Sequence, residues 1–137
     1  MATSSGVELA RQIAKLGPAQ QMRDELRRLV TSNRAAVDGR FVGEMLDLVA
    51  QFRKKNQSSE AVDLLRKLFD AGNVLADPSL KATARLEMAT LQLEMRGESD
   101  ADKVKDHLEK CLSECQSISD GTKRLPIEAE ARMILGV

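Results

Sequence analysis

Residues 82–95 read ATARLEMATLQLEM. Ala84, Met88, Leu91 and Met95 recur at helical spacing, and so do Ala82, Leu86, Ala89 and Leu93 on a second flank. A helix with two apolar flanks needs more than one neighbour to cover it. Upstream, residues 41–52 (FVGEMLDLVAQF) repeat the pattern, with Phe41, Met45, Leu48 and Phe52 on one side and Val42, Leu46 and Val49 on the other.

These two stretches are in register. Met45, Leu48 and Phe52, followed by Ala61, Leu65 and Leu68, recur 43 positions later as Met88, Leu91, Met95, Val104, Leu108 and Cys111. All six stay apolar and no gap is needed. A further step of the same length reaches Ala131 and Ile134, so the terminal LPIEAEARMILGV (residues 125–137) reads as the opening helix of a third copy. Recurrence at a fixed interval of this size is the signature of stacked helical hairpins.

Turn-forming stretches divide the chain: SNRAAVDGR, KNQSS, AGNVLADP, RGESD and SDGTKRLP. Between them the spacing predicts helices near 5–16, 18–32, 40–56, 59–71, 78–96, 100–118 and from 126 onward. Asp77 before Pro78 gives a capping carboxylate ahead of a first-turn proline, and Gly97 suits a helix end. Ser99 and Asp102 resemble a capping box. No segment alternates with a period of two. The expected fold is all-α: a right-handed solenoid of stacked hairpins with the last hairpin incomplete. Its parts are N-terminal capping helices over 1–39, one repeat over 40–77, a second over 78–125 and the start of a third over 126–137. Helix 18–32, with the single stripe Met22, Leu26 and Leu29, suits the outer end of such a stack, whereas the C-terminal end is left uncovered. The chain is accordingly expected to be a piece of a longer solenoid.

Composition narrows the function classes. Three Phe with no Trp or Tyr leave Leu, Met, Ala and Val to fill the interior. Lys plus Arg and Asp plus Glu balance at 21 each, so no net charge draws the chain to nucleic acid or an anionic membrane. No apolar run approaches the roughly 20 residues of a membrane helix. The N-terminus carries no signal-peptide pattern, and two cysteines then read as reduced thiols of a nuclear or cytoplasmic, non-secreted protein.

Candidate chemistry is sparse. His107, Cys111 and Cys115 fall four residues apart on one helix, a spacing at which neighbours can share a metal. The first and third lie about 12 Å apart along the axis and cannot share one ion. The better account places Val104, Leu108, Cys111, Cys115 and Ile118 on a buried stripe, with cysteine as a small hydrophobe. The basic clusters FRKKN (52–56) and RDELRR (23–28) read as solvated helix faces in a chain without stacking aromatics. Glu87, Glu94, Glu98, Asp100 and Asp102 form no paired-carboxylate site in an apolar setting. With one histidine and no nucleophile elbow or phosphate loop, no catalytic residue, cofactor or metal is expected, and the chain is not expected to be an enzyme.

The hairpin positions resemble those of a tetratricopeptide repeat. The large, small and aromatic positions of that family map onto Met45, Leu48, Val49, Phe52, Ala61, Leu65 and Leu68, and again onto Met88, Leu91, Gln92, Met95, Val104, Leu108 and Cys111. Val49 and Gln92 replace the usual glycine, Leu65 and Leu108 replace an aromatic, and the period exceeds the usual one of about 34. The pattern is therefore TPR-like, with a long loop expected between hairpins. From about Phe41 to Val137, the segments LKATARLEMATLQLEM, VKDHLEKCLSECQSIS and IEAEARMIL also resemble the N-terminal repeats of the cohesin-loading-factor subunit family. That resemblance implies a nuclear scaffold that wraps an extended segment of a partner subunit and acts in sister chromatid cohesion on chromatin. Proteasome-lid and signalosome subunits carry comparable arrays, and a small metal-binding helical protein is a further alternative. On the scaffold reading, Asp47, Gln51 and Lys54 on one first helix, with Arg85, Gln92 and Arg96 on the next, fall off the apolar stripes and are the candidate partner-binding residues. The expected partner is a protein held by a monomer within a hetero-complex, not direct nucleic acid or membrane.

Overall fold

The computed structural model describes residues 5–18, 21–95 and 101–136. Among these, every regular element is helical: α1 (Gly6–Ala14), α2 (Arg23–Ser32), a short 3-10 turn (Arg34–Ala36), α3 (Gly39–Lys54), α4 (Ser58–Leu75), α5 (Pro78–Met95), α6 (Ala101–Cys115) and α7 (Gly121–Leu135). Arg96, Gly97, Glu98, Ser99 and Asp100 lie outside the described residues. The chain divides into two compact units, Met1–Ala76 and Asp77–Val137.

In the first unit, α3 packs on both α1 and α4, and α2 lies on α4. Two of its helix starts, those of α1 and α3, are fixed by short side chains. Ser5 accepts from the Glu8 amide at α1, and Asp38 accepts from the Arg40 and Phe41 amides at α3. The core is built from Leu9, Ala10 and Ile13 of α1, Leu26 and Val30 of α2, Phe41, Met45 and Val49 of α3, and Ala61, Leu64, Leu65, Leu68 and Ala71 of α4. Val49, expected on the far flank of its helix, is buried, whereas Leu48 and Phe52 are only half-buried. Phe41 and Met45 thus keep the expected stripe, and Val49 takes the inward place of Leu48 in the C-terminal half of α3. In α2 the same happens: Val30 is buried in place of Leu29.

The expected loop AGNVLADP is mostly helix. α4 continues to Leu75, so Ala76 and Asp77 alone separate it from α5. Ala76 ends α4 in the left-handed conformation (φ 53°), with its N–H donating to the carbonyls of Asn73 and Gly72. The long repeat interval is therefore carried by long helices and not by a long loop at this junction.

In the second unit α5 and α6 form a hairpin, and α7 packs on both. Their shared core holds Ala82, Leu86 and Ala89 of α5, Val104, Leu108, Cys111 and Cys115 of α6, Ile118 beyond it, and Ala131 of α7. The small side chain of Ala82 allows a close approach: the Cys111 thiol donates to the Ala82 carbonyl at 3.3 Å. α7 starts five residues before the expected position. Asp120 caps it, its Oδ1 accepting from the Thr122 amide (2.9 Å) and the Thr122 hydroxyl (2.6 Å). Pro126 consequently falls inside the helix and not in its first turn. Ile127, Ile134 and Leu135 rest partly buried against the shared core, while Leu125 and Met133 remain 57% and 74% exposed.

Candidate functional site

The expected partner-binding residues fall on different helices of the two units. Asp47, Gln51 and Lys54 share an exposed face of α3, and the Gln51 amide donates to the Asp47 carboxylate at 3.1 Å. Arg85 and Gln92 lie two turns apart on α5. Arg85 is engaged within its unit, its Nε donating to Glu114 of α6 at 3.2 Å with both side chains mostly covered. Gln92 is half-buried, and its Oε1 is buried without a hydrogen-bond partner among the described residues. Arg96 lies outside the described residues.

Around Arg85 the α5–α6 surface holds a small polar group. Burial pushes the Glu114 carboxyl above its ordinary range, against the lowering pull of Arg85 and then Lys81. Burial lowers the His107 imidazole below its ordinary value, and Arg85 adds to that effect. The buried Nδ1 of His107 has no hydrogen-bond partner among the described residues. Cys111, completely buried, is pushed up to about 12, first by burial and then by the neighbouring Cys115. A thiol held in this way is a poor nucleophile and a poor metal ligand at neutral pH. Among the described residues, no cluster of His, Cys, Asp and Glu is arranged to hold a metal ion. No helix among them is long and apolar enough to cross a membrane.

One open feature of the first unit was only half visible in the sequence. Between α2 and α4 lies a groove of about 710 Å³, lined by Arg23, Asp24, Leu26 and Arg27 on one wall and Arg66, Phe69, Asp70, Asn73 and Val74 on the other. That volume falls in the range of about 300–1,000 Å³ typical of ligand pockets. The RDELRR cluster supplies Arg23 and Arg27, whereas its Arg28 turns to Glu25 on the same helix. Arg66 comes from α4, 39 residues beyond Arg27, and no local motif connects them. Among the described residues, Arg23, Arg27 and Arg66 have no salt-bridge partner. Burial raises the Asp70 carboxyl above its usual range, with Arg23 and Arg66 opposing that shift only in part.

The chain matches no protein-family model, and no curated protein or solved structure matches it.

Proposed function

We propose that this all-helical chain is a non-enzymatic protein-interaction scaffold. On this reading it is a TPR-like α-solenoid in which α3–α4 and α5–α6 are successive repeats and α7 opens a third. The supporting observation is a coincidence of register and burial. Ala61, Leu65 and Leu68 of α4 are buried, and so are Val104, Leu108 and Cys111, their equivalents 43 residues on in α6. Each set lies on a helix that packs against the helix before it. A hairpin whose second helix repeats its inward face leaves its outward positions available for a partner, which lies along them as an extended peptide or a helix.

Asp47, Gln51 and Lys54 of α3 are the proposed contact residues in the first unit, and Gln92 in the second. Gln92 is proposed because a buried amide oxygen without a partner gains a hydrogen bond when a peptide N–H reaches it. The narrower proposal is a cohesin-loader-type subunit of the nucleus, supported by the resemblance at HLEK (107–110). The test uses the whole chain, immobilised and exposed to a random peptide library. Retention of a defined set of peptides, reduced by Gln51→Arg with Lys54→Glu, is the expected result. Failure to retain any peptide overturns the scaffold reading.

A further inference from the structure

We infer that the groove between α2 and α4 is a seat for an acidic peptide segment, one that carries carboxylates on either side of a bulky apolar side chain. The inference rests on the scaffold reading and names the chemistry of one partner.

Three observations converge on that occupant. The first is charge at the rim. Arg23 and Arg27 stand one turn apart on α2, and Arg66 faces them from α4; all three are exposed, and none has a salt-bridge partner among the described residues. Guanidinium groups are planar donors that match carboxylates with two parallel hydrogen bonds. Among the described residues, the groove's own acids form no salt bridge with them. Asp24 is exposed in the first turn of α2, and the half-buried Asp70 keeps a carboxyl shifted by burial more than by its arginine neighbours. Three cations against two carboxylates leave the groove positive in a chain whose net charge is zero.

The second observation is an apolar floor. Leu26 is buried, and Phe69 and Val74 are half-buried between the charged walls. An apolar side chain entering here leaves water for a surface already partly dry, and the low-dielectric floor strengthens the charge pairs above it. The third is length. The α4 wall from Arg66 to Val74 spans about 12 Å at a 1.5 Å rise, which about four residues of extended chain cover at 3.3 Å each. Asn73, exposed on the same wall, offers an amide that can both donate to and accept from a peptide backbone.

The experiment uses the full chain and a fluorescein-labelled peptide of glutamate and leucine, with a lysine–leucine peptide as its counterpart. Fluorescence anisotropy should show binding of the glutamate peptide, weakened by salt, and no binding of the lysine peptide. Arg27→Glu with Arg66→Glu should weaken the glutamate peptide by about tenfold or more. The milder Arg27→Gln with Arg66→Gln should give a smaller loss at unchanged helical circular dichroism. Equal binding of both peptides, or an affinity indifferent to the arginine substitutions, overturns the inference. If the glutamate peptide fails while the random library still yields ligands, the acidic seat is wrong and the scaffold reading survives. If the library yields none, both fall.

Discussion

The ammonium of Lys67 on α4 lies 3.0 Å from the carbonyl oxygen of Leu16, just past the end of α1. It also reaches Asp63 one turn back on its own helix, at 2.9 Å. With only 3% of its side chain exposed, Lys67 is a buried charge whose two partners both accept hydrogen bonds from it. The last carbonyls of a helix have no partner within the helix, and a cation there also meets the negative end of its dipole. Lys67 therefore ties the end of α1 to α4, two elements far apart in sequence.

Removing that cation while keeping the stem isolates its role. Lys67→Met should destabilise the first unit by about 2 kcal/mol, because a carbonyl and a carboxylate lose a charged donor in a dry setting. Urea denaturation measures the loss. In a double-mutant cycle with Asp63→Asn, the two losses should not add, since both remove the same pair.

Cys111 makes a prediction about alkaline pH. Its ordinary value of 9.0 rises to about 12 in the folded chain, so between those values the unfolded chain releases a proton that the folded chain keeps. Unfolding is then favoured as pH rises, by up to about 1.4 kcal/mol per pH unit from this group. Below pH 9.0 the contribution vanishes, since the thiol is protonated in both states. The chain has no tyrosine to titrate in this window, and the Cys115 thiol, also raised by burial, adds to the fall. Stability measured in urea should fall on passing from about pH 8 to about pH 10.5, and Cys111→Ala should flatten that fall. A thiol-reactive dye should label Cys111 slowly in the native protein and at once in denaturant.

The single histidine reports on Arg85. Burial first, and Arg85 second, hold the His107 imidazole below 6.5. A proton resonance titration should therefore give a midpoint under that value, and Arg85→Met should move it upward while burial keeps it below 6.5. Because the folded value is depressed, the unfolded chain takes the proton first, and stability is lost as pH falls from 6.5 toward the folded midpoint. The same substitution leaves Glu114 without the cation that opposes its upward shift. A raised carboxyl costs stability above its ordinary value of 4.5, so Arg85→Met should lose about 1–2 kcal/mol near neutral pH and recover part of it on acidification.

Periodic burial was the legible part of this fold. The stripe Val104, Leu108, Cys111, Cys115 and Ile118 is buried throughout, because a helix with one dry face writes that face into its sequence at fixed spacing. Helix ends were less readable. AGNVLADP contains glycine and asparagine, yet Gly72 and Asn73 stay in α4, where the buried Ala71 and Gly72 outweigh weak intrinsic preferences. Pro126 marked a helix start that Asp120 made earlier, because a side-chain cap lies upstream of the proline. The α2–α4 groove was only partly readable: Arg23 and Arg27 belong to a visible cluster, but Arg66 joins them through tertiary packing alone. Lys67 left no signal either, since a lysine beside Arg66 on a helix is ordinarily a solvated one.

Two glycines that look alike in the sequence should behave in opposite ways. A methyl group built on Gly6 would sit 2.5 Å from the Asp38 carboxylate, 2.6 Å from the Phe41 amide nitrogen and 2.7 Å from the Ala36 carbonyl oxygen. Two of those atoms are backbone, and Asp38 is the cap of α3, so none of the three moves cheaply. Gly6→Ala should therefore push the start of α1 away from the start of α3 and cost about 2 kcal/mol or more. Gly43, in the exposed middle of α3, has nothing within 4 Å of the added carbon. There the substitution only restricts the unfolded chain and favours the helix, so Gly43→Ala should gain about 0.5–1 kcal/mol. Parallel urea titrations of the two variants check the pair: no loss at Gly6 would mean that α1 does not meet α3 at the Asp38 cap, and a loss at Gly43 would mean that its face of α3 is not open.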